Sequence, residues 1–415
     1  MKPRATAVDL RRVNRSEVLR LLLLRGPLNR VLLGELTGLS GACVTTVVGD
    51  LLAEGLIVQA GTEGSDGGRP RVRVTINPAF GTLIGVDVAE KVATVAAYDL
   101  TTRELAREEL RLDPARRSVP DVVAAIAAAV DRMGGELPAP ALGVGVGVPG
   151  VVAPAPDGRV HAPNIGWRDV PLGPLLADAV GLPVYVDNCV KALGQAEMWF
   201  GAGRGSEETA VVLLGTGVSA ALFSRGNLLR GAANAAGEWG HTSIVAGGRP
   251  CRCGARGCIE AYLGGRALVE QWAEADGRLR LPRRYDEVRW VRRLLAAAPS
   301  DRAAAGVVAR AGEYLGTGIA NLVNLLNPDR VVIAGWVGGL LGPSLLGPVR
   351  ATVDRQALAF AAERVSVELG RLGPGAVALG ASTLVLAELV DHGGRRPDRR
   401  RRRAPAGPAP VAALP

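Results

Sequence analysis

Apolar residues near the start of the chain recur first at helical spacing and then at strand spacing. The pattern predicts a first helix that ends at Gly26-Pro27 and a second, short helix over residues 30–36. Gly38 suits a tight turn, and Ser40 is a good N-cap for a third helix. The positions predicted to face the core are Val18, Leu19, Leu22, Leu23, Val44, Val47, Val48, Leu51 and Leu52.

The third helix leaves a small and mostly uncharged outer face. Ala42, Thr45, Thr46 and Gly49 lie between its apolar positions. Such a face fits the major groove of DNA, where threonine hydroxyls and methyls can meet base edges. The sequence therefore predicts a DNA-binding domain of the winged helix-turn-helix class at residues 1–78, with Ala42, Thr45 and Thr46 as base-contacting candidates.

A two-stranded wing follows, starting at Leu56-Ile57-Val58 and closed by residues 71–76. Its loop contains Gly67-Gly68-Arg69-Pro70. An arginine between glycine and proline is narrow and extended, so Arg69 can enter a minor groove where negative potential is concentrated. A module that contacts only other proteins is the alternative. It is disfavoured because helix-turn-helix, wing and arginines occur together.

From about residue 81 the pattern predicts a larger α/β domain. Strands at residues 83–88, 92–98 and 104–112 precede a helix at 121–133 and a strand at 141–148, which is the order of one lobe in actin-like folds. The later predicted elements are a strand at 184–186, a hairpin at 210–223, a helical region at 265–298, a helix at 312–326, a strand at 331–334 and a last helix from 380 to about 390.

The composition shows where the net positive charge of the chain lies. The chain has 415 residues, 48% of them apolar and 21% charged, which suits two or three domains with a sizeable core. Much of the net charge of +9 lies in the Arg/Pro-rich tail at 391–415, which predicts disorder. That tail either adds nonspecific affinity for DNA or is a solvated segment. No membrane-spanning segment or signal cleavage site is predicted, so we expect a cytoplasmic protein.

Three of the five cysteines fall within eight residues, at Cys251, Cys253 and Cys258, and His241 stands ten residues before the first. Thiolates and imidazole are the donors that tetrahedral Zn²⁺ prefers. A disulfide pair with one spare thiol is the alternative, but three cysteines this close together suit a metal better. The sequence therefore predicts Zn²⁺ held by His241, Cys251, Cys253 and Cys258, in a structural role because no coordination position is left open.

Residues 231–262 read GAANAAGEWGHTSIVAGGRPCRCGARGCIEAY. This stretch resembles the signature of the ROK family (repressors, open reading frames and sugar kinases), whose pattern is G-A-x-N-x-A-G-E-x-G-H followed by C-x-C-G-x-x-G-C-x-E. The resemblance extends over about residues 10–388 and includes the G-G-R-P wing of its repressors, such as those responding to xylose, glucose or N-acetylglucosamine.

The resemblance implies an actin-like, ribonuclease H-like sugar-kinase fold at residues 79–390. One lobe would hold about 79–190 with the C-terminal helix, and the other about 191–375. The same four zinc ligands are implied, beside a sugar pocket. The sugar-contacting residues that the resemblance implies are Gly150, Asn164, Asn188, Glu238, His241 and Glu260.

The chain departs from the kinases of the family at the catalytic base. The kinases have Asn-Asp there, with a glutamate eight residues after the aspartate. Anchoring on Glu197 makes Asn188 the family asparagine and puts Cys189 at the position of the general base. A competing register makes Asp187 the base but misplaces Glu197.

Both phosphate loops also depart from the kinase patterns. The first, D-x-G-G-T in the kinases, reads Asp87-Val88-Ala89-Glu90-Lys91, so a carboxylate would face incoming phosphates. The second, G-T-G-x-G-x-G, keeps Gly215 and Gly217 but loses the later glycines. These losses predict no kinase activity.

The sequence therefore favours a sugar-responsive transcriptional regulator, of the repressor type, over an ATP-dependent sugar kinase. The predicted partners are operator DNA, a monosaccharide or phosphosugar effector, and further copies of the chain in a homodimer or tetramer. A third hypothesis is a DNA-binding protein whose sugar lobe serves only dimerisation. The presence of Glu238, His241 and Glu260 argues mildly against it.

Overall fold

The computed structural model describes residues 7–64, 70–112, 118–154 and 158–396. Packing divides them into two units. The described part of unit 1 holds residues 7–192 together with the C-terminal segment from residue 377, and unit 2 holds Leu193–Ala376. The predicted mixed α/β class is confirmed.

The N-terminal part of unit 1 is a small helical module with a wing. Asn29 and Ser40 cap the second and third helices by accepting backbone N–H groups, so those helices begin where the capping residues predict. A short strand that sequence analysis missed joins the wing, giving the order β1-β3-β2. The elements are α1 Ala7–Arg25, β1 Leu28–Asn29, α2 Arg30–Thr37, α3 Gly41–Ala53, β2 Ile57–Glu63 and β3 Arg71–Ile76.

The core of this module contains most of the predicted apolar positions. Leu23 and Leu52 are only half-buried, because they lie at the edge of their helix faces. The residues buried as predicted are Val18, Leu19, Leu22, Val44, Val47, Val48 and Leu51.

The rest of unit 1 is built on a sheet of five described strands in the order β11-β7-β4-β5-β6. β4, β7 and β11 run parallel, so their carboxyl ends meet at one edge. The elements are β4 Thr82–Val88, β5 Val92–Asp99, β6 Glu104–Arg111, α4 Val119–Gly134, β7 Ala141–Val148, β8 Val151–Val152, β9 Val160–Ala162, β10 Trp167–Val170, α5 Leu172–Val180 and β11 Val184–Asn188. The division between the units falls inside α6 Cys189–Phe200.

One face of this sheet packs closely against α13 Ala376–Asp391. A Cβ on Gly85 would lie 1.9 Å from the carbonyl oxygen of Ala378, and one on Gly145 would lie 1.8 Å from that of Ala381. Glycine at both strand positions therefore allows the helix backbone to approach the sheet.

The end of α13 also contacts the first helix of the winged module. Arg12 and Arg20 donate to the backbone oxygen and the carboxylate of Asp391 at 2.7 and 2.9 Å. Arg15 donates from Nε to the backbone oxygen of Gly393 at 2.6 Å. Cationic side chains at a helix C-terminus satisfy orphan carbonyls, so these bonds join the module to the remainder of unit 1.

Unit 2 is built on a second sheet of five described strands, in the order β14-β13-β12-β15-β16, with helices packed around it. The elements are β12 Thr209–Leu214, β13 Val218–Ser224, β14 Asn227–Leu228, α7 Glu260–Leu263, α8 Gly265–Asp276, α9 Glu287–Ala297, α10 Arg302–Leu326, β15 Arg330–Ala334, α11 Gly335–Gln356, α12 Ala359–Ala362 and β16 Ser366–Leu369.

Several helices differ from their predictions, among them the helix predicted over 312–326, which begins at Arg302. The helical region at 265–298 is two helices, because Gly277 (φ +66°) ends α8. The last helix starts at Ala376, four residues before the predicted position. The long α11 was not predicted, since it contains Pro343 and Pro348.

Among the described helices, the stretch Gly373–Asp391 is long and apolar enough to cross a membrane. Two thirds of it (67%) is buried inside the protein, as in the core helix of a globular protein.

Candidate functional site

The outer face of α3 is exposed at Ala42, Thr45 and Thr46, as predicted. The hydroxyls of Thr45 and Thr46 donate to the carbonyls of Gly41 and Ala42 at 2.7 and 3.0 Å. Their oxygen lone pairs can still accept from a base edge. Arg69, the wing candidate, lies outside the described residues.

In unit 1, the structure brings Asn188 and Gly150 together. The Asn188 amide donates to the Gly150 carbonyl at 2.6 Å, and its Oδ1 accepts the backbone N–H of Val190, where it caps α6. Gly150 has φ +80°, and a Cβ there would lie 2.3 Å from the carbonyl oxygen of His161. The buried Asn188 is therefore held at both ends of its amide.

Asn164 has a different neighbour, which sequence analysis did not pair with it. Its amide donates to Oε1 of Glu90 at 3.3 Å. Glu90 stands in the turn between β4 and β5, so this contact puts a carboxylate beside a candidate sugar residue. No sequence signal connects the two residues, which are 74 positions apart.

The two residues that could align with the catalytic base of the kinases, Asp187 and Cys189, lie at the end of β11. Asp187 lies within the strand, is 2% exposed, and accepts the backbone N–H of Asn188 at 2.8 Å. Cys189 is the first residue of α6 and is half-buried. Asp187 and Cys189 therefore flank the point where β11 passes into α6.

Asp87 lies in the same row of the sheet as Asp187, since both pair with Gly147 of β7. Asp87 is half-buried, and desolvation raises its pKa to about 7, while the charge of Arg107 partly opposes the rise. In the unfolded chain an aspartate titrates near pH ~3.9, so the folded chain binds this proton more tightly.

A pH-dependent stability follows from that raised pKa. Tighter proton binding by Asp87 in the folded chain adds to the free energy of unfolding. This contribution is fully present below about pH 4 and is lost as the pH rises through about 7. We expect Asp87→Asn to raise the melting temperature at about pH 8 and to leave it unchanged at about pH 4. Calorimetry at both pH values measures this, and equal shifts at the two values would contradict it.

In unit 2, the four predicted metal ligands converge. The ligand atoms of His241, Cys251, Cys253 and Cys258 all lie within 4.8 Å of one another. Sγ of Cys251 is 3.7 Å from Nδ1 of His241, and the Sγ atoms of Cys253 and Cys258 are 3.8 Å apart. A tetrahedron with Zn–S bonds of about 2.3 Å has edges of about 3.8 Å, so these separations fit one Zn²⁺ ion. All three cysteines are free thiols.

Backbone hydrogen bonds hold the loop that carries these ligands. The backbone N–H of Ile259 donates to the carbonyl of Thr242 at 3.0 Å, and the backbone N–H of Gly257 donates to the carbonyl of Arg249 at 2.8 Å. Gly257 has φ +81°, and a Cβ there would meet the carbonyl oxygen of Val245 at 1.8 Å. The glycine at this motif position therefore allows Cys258 to turn towards His241.

The three thiols have different acidities. Burial raises the pKa of Cys251, and it raises the pKa of Cys258 to about 12. The backbone N–H of Ala255 lowers the pKa of Cys253. A zinc ion binds thiolates, so its binding would release protons from this loop.

Glu238, His241 and Glu260 surround the same loop in unit 2. The backbone N–H of His241 donates to the Glu238 carbonyl at 3.1 Å, and Glu260 Oε1 lies 3.9 Å from Cys251 Sγ. A Cβ on Gly240 would meet the carbonyl oxygen of Val218 at 1.9 Å, which explains the glycine between Glu238 and His241.

The loop at Gly215 and Gly217 is a tight turn, in which the Gly215 N–H donates to the Gly217 carbonyl at 2.9 Å. The next backbone N–H, of Val218, donates to Oε2 of Glu260 at 3.1 Å. A Cβ on Gly217 would lie 3.0 Å from the same carboxylate oxygen. This turn therefore positions Glu260, a contact that sequence spacing did not reveal.

Comparisons with known proteins agree with this architecture. The ROK family model matches residues 83–388. The chain is 28% identical over 388 residues to the xylose repressor of Caldicellulosiruptor bescii, covering 92% of this chain and 97% of that protein. It is 36% identical over 251 residues to the glucokinase of Halalkalibacterium halodurans, covering 59% and 76%.

A solved structure extends the likeness to the N-terminal module. The ROK family transcriptional regulator described as a homolog of the Escherichia coli MLC protein superposes with a TM-score of 0.76 at 23% identity, covering 93% of this chain and 98% of that one. The winged module, the two five-stranded sheets and the His/Cys loop thus occur in a chain that belongs to the ROK family.

Proposed function

We propose that this chain is a sugar-responsive transcriptional repressor. Residues 1–78 would bind operator DNA, and residues 79–390 would bind a monosaccharide or phosphosugar. The names of the xylose repressor and of the MLC homolog support this function, because each likeness covers more than nine tenths of the chain. A cytoplasmic location accords with a DNA partner.

The observation that carries the proposal is the outer face of α3. It exposes Ala42, Thr45, Thr46 and Gly49, and none of the four is charged. The opposite face is buried and fixes the helix on its module. A rigid helix with a small outer face suits the major groove, where phosphates flank the bases on both sides.

A sugar effector is supported by the side chains around the His/Cys loop. The carboxylates of Glu238 and Glu260 can accept hydrogen bonds from adjacent sugar hydroxyls. With Nδ1 of His241 facing Cys251, the other ring nitrogen is free of the cluster and could bond a third hydroxyl. Gly150, Asn164 and Asn188, which lie in unit 1, are also proposed to contact the sugar.

We infer that His241, Cys251, Cys253 and Cys258 hold a structural Zn²⁺. The fit rests on their donor types and on Sγ–Sγ and Sγ–Nδ1 separations of 3.8 and 3.7 Å. When bound, the ion would fix the loop rather than act on the substrate, because four protein ligands fill its tetrahedron.

Kinase activity is the weaker hypothesis, although a glucokinase is among the relatives. Cys189 cannot act as a carboxylate base. Glu90 lies in the first phosphate loop, beside Asn164. A carboxylate there would repel the phosphates of ATP.

A ligand that changes operator binding must have different affinity for the two arrangements of the protein. We infer a homodimer, or a tetramer of two dimers, because paired winged modules match palindromic half-sites. The basic tail predicted at 391–415 begins with Asp391, the last residue of α13, and residues 397–415 lie outside the described ranges.

Gel-shift titration tests the DNA half of this function, using DNA from upstream of the chain's own gene. We expect Thr45→Asp to weaken binding about tenfold or more, since a carboxylate would face the phosphates of the groove. The matched control is Ala124→Asp, which is also an exposed helix position of the same unit. Equal affinity of the two variants would contradict a base-contacting role for α3.

Calorimetry with a panel of monosaccharides and their phosphates tests the effector half. The sugar that binds should also release the gel-shift complex. Formation of a sugar phosphate from ATP by the purified wild-type chain would instead support the kinase hypothesis.

A further inference from the structure

Unit 2 carries a dense group of exposed arginines that the proposed function does not use. They begin after α8 and continue along α9, within sixteen consecutive residues. This arginine patch consists of Arg278, Arg280, Arg283, Arg284, Arg289, Arg292 and Arg293.

The arginine patch is a local concentration of charge. Residues 74–390 contain 31 basic and 31 acidic residues and so have no net charge. Within them, residues 277–293 hold seven arginines against two acidic residues, so the remainder carries a net charge of −5. A general enrichment in arginine does not explain this segregation.

Helical spacing directs part of the patch to one side. Arg289, Arg292 and Arg293 are spaced i, i+3 and i+4 on α9, while Val291 and Leu294 are buried in the core. The guanidinium of Arg293 lies 4.1 Å from the centroid of the Trp290 ring, and this contact orients it.

The protein itself does not neutralise these charges. Across the described ranges of the chain, none of the seven arginines forms an ion pair with a carboxylate. The two acidic residues of the segment have other contacts, because Asp286 caps α9 at the Arg289 N–H and Glu287 accepts from the Thr216 hydroxyl. The positive charge is therefore available to a partner.

The chemistry of the patch points to phosphates. Residues 277–293 include no exposed large apolar side chain, whereas protein interfaces depend on apolar and aromatic anchors. Guanidinium groups match the geometry of phosphate oxygens. We propose that the arginine patch binds the phosphate backbone of DNA as a second, sequence-independent contact; this inference rests on the proposed DNA-binding function.

The test is the salt dependence of binding by the full chain to a long duplex of random sequence. The slope of log K against log salt is negative, and each lost phosphate contact reduces its magnitude by about one. We expect the triple variant Arg289→Gln, Arg292→Gln, Arg293→Gln to reduce that magnitude by about two to three. A second variant, Arg278→Gln with Arg280→Gln and Arg283→Gln, changes no helix position and should act in the same direction.

The matched control is Arg310→Gln, Arg355→Gln, Arg364→Gln. These three arginines are exposed in the same unit, and replacing them removes the same charge as each patch variant. Arg364 stacks on Phe360 as Arg293 does on Trp290. The control should keep the wild-type slope, because its arginines lie outside the patch.

The possible results distinguish a failure of the arginine patch from a failure of the proposed DNA-binding function. Unchanged slopes in both patch variants, with wild-type binding intact, would overturn the role of the patch and leave the proposed function standing. Patch variants that keep the wild-type slope but lose retention on immobilised polyglutamate would indicate an acidic protein partner and overturn it too. A wild-type chain that binds no duplex at all would overturn the proposed function and this inference with it.

Discussion

Cys253→Ala is expected to lose bound zinc and, together with it, the response to sugar. Cys253 is exposed, so its thiol contributes little to packing and its replacement tests the ligand role. Binding of zinc at a structural site stabilises the folded loop by about 10 kcal/mol. A variant site that keeps only three of its four ligands binds the ion far less tightly. The loop also carries His241 and borders Glu260, which are proposed to contact the sugar.

Zinc content by elemental analysis and sugar affinity by calorimetry measure the two losses. Cys43→Ser is the control, since Cys43 is a free thiol of α3 and lies outside the cluster. Removal of zinc from the wild-type chain with a chelator should reproduce the variant. Full zinc content with wild-type sugar affinity in Cys253→Ala would show that the four residues do not form the site.

Gly145→Ala is expected to destabilise unit 1 by about 3 kcal/mol or more. The added Cβ would lie 1.8 Å from the backbone oxygen of Ala381, and a backbone atom cannot turn aside as a flexible side chain does. The helix α13 would have to move off the sheet. Since α13 also contacts the winged module through Asp391, loss of operator binding should accompany the loss of stability.

Denaturant titration measures the change, and the melting temperature should fall by about 6 °C or more. Gly134→Ala, at the end of α4, is the control, because a Cβ there meets nothing within 4 Å. Alanine favours helix over glycine, so the control should be neutral or stabilising by up to about 1 kcal/mol. Equal stability of the two variants would contradict the close approach of α13.

Local sequence rules predicted the elements whose ends are set by nearby residues. Asn29 and Ser40 cap their helices through side chains two or three positions away, so the boundaries of α2 and α3 can be derived from the sequence. The hairpin around Gly215 was predicted for the same reason, since its strands pair across a short turn.

Elements that depend on distant packing were not predictable in this way. α11 contains Pro343 and Pro348, which local rules treat as helix breakers. It persists because its other face is buried against the core of unit 2 at Val337, Leu341 and Leu345. Tertiary burial therefore outweighs the local propensity.

The candidate metal ligands could be grouped from the sequence alone, because Cys251, Cys253 and Cys258 are close enough along the chain for one glycine-rich loop to bring them together. The sequence also determined which residues of α3 face outward, since helical period alone sorts them. The neighbours of the candidate sugar residues, by contrast, could not be derived from the sequence. Glu90 meets Asn164 and Val218 meets Glu260 across long sequence separations, and such contacts depend on how strands and helices pack rather than on spacing along the chain.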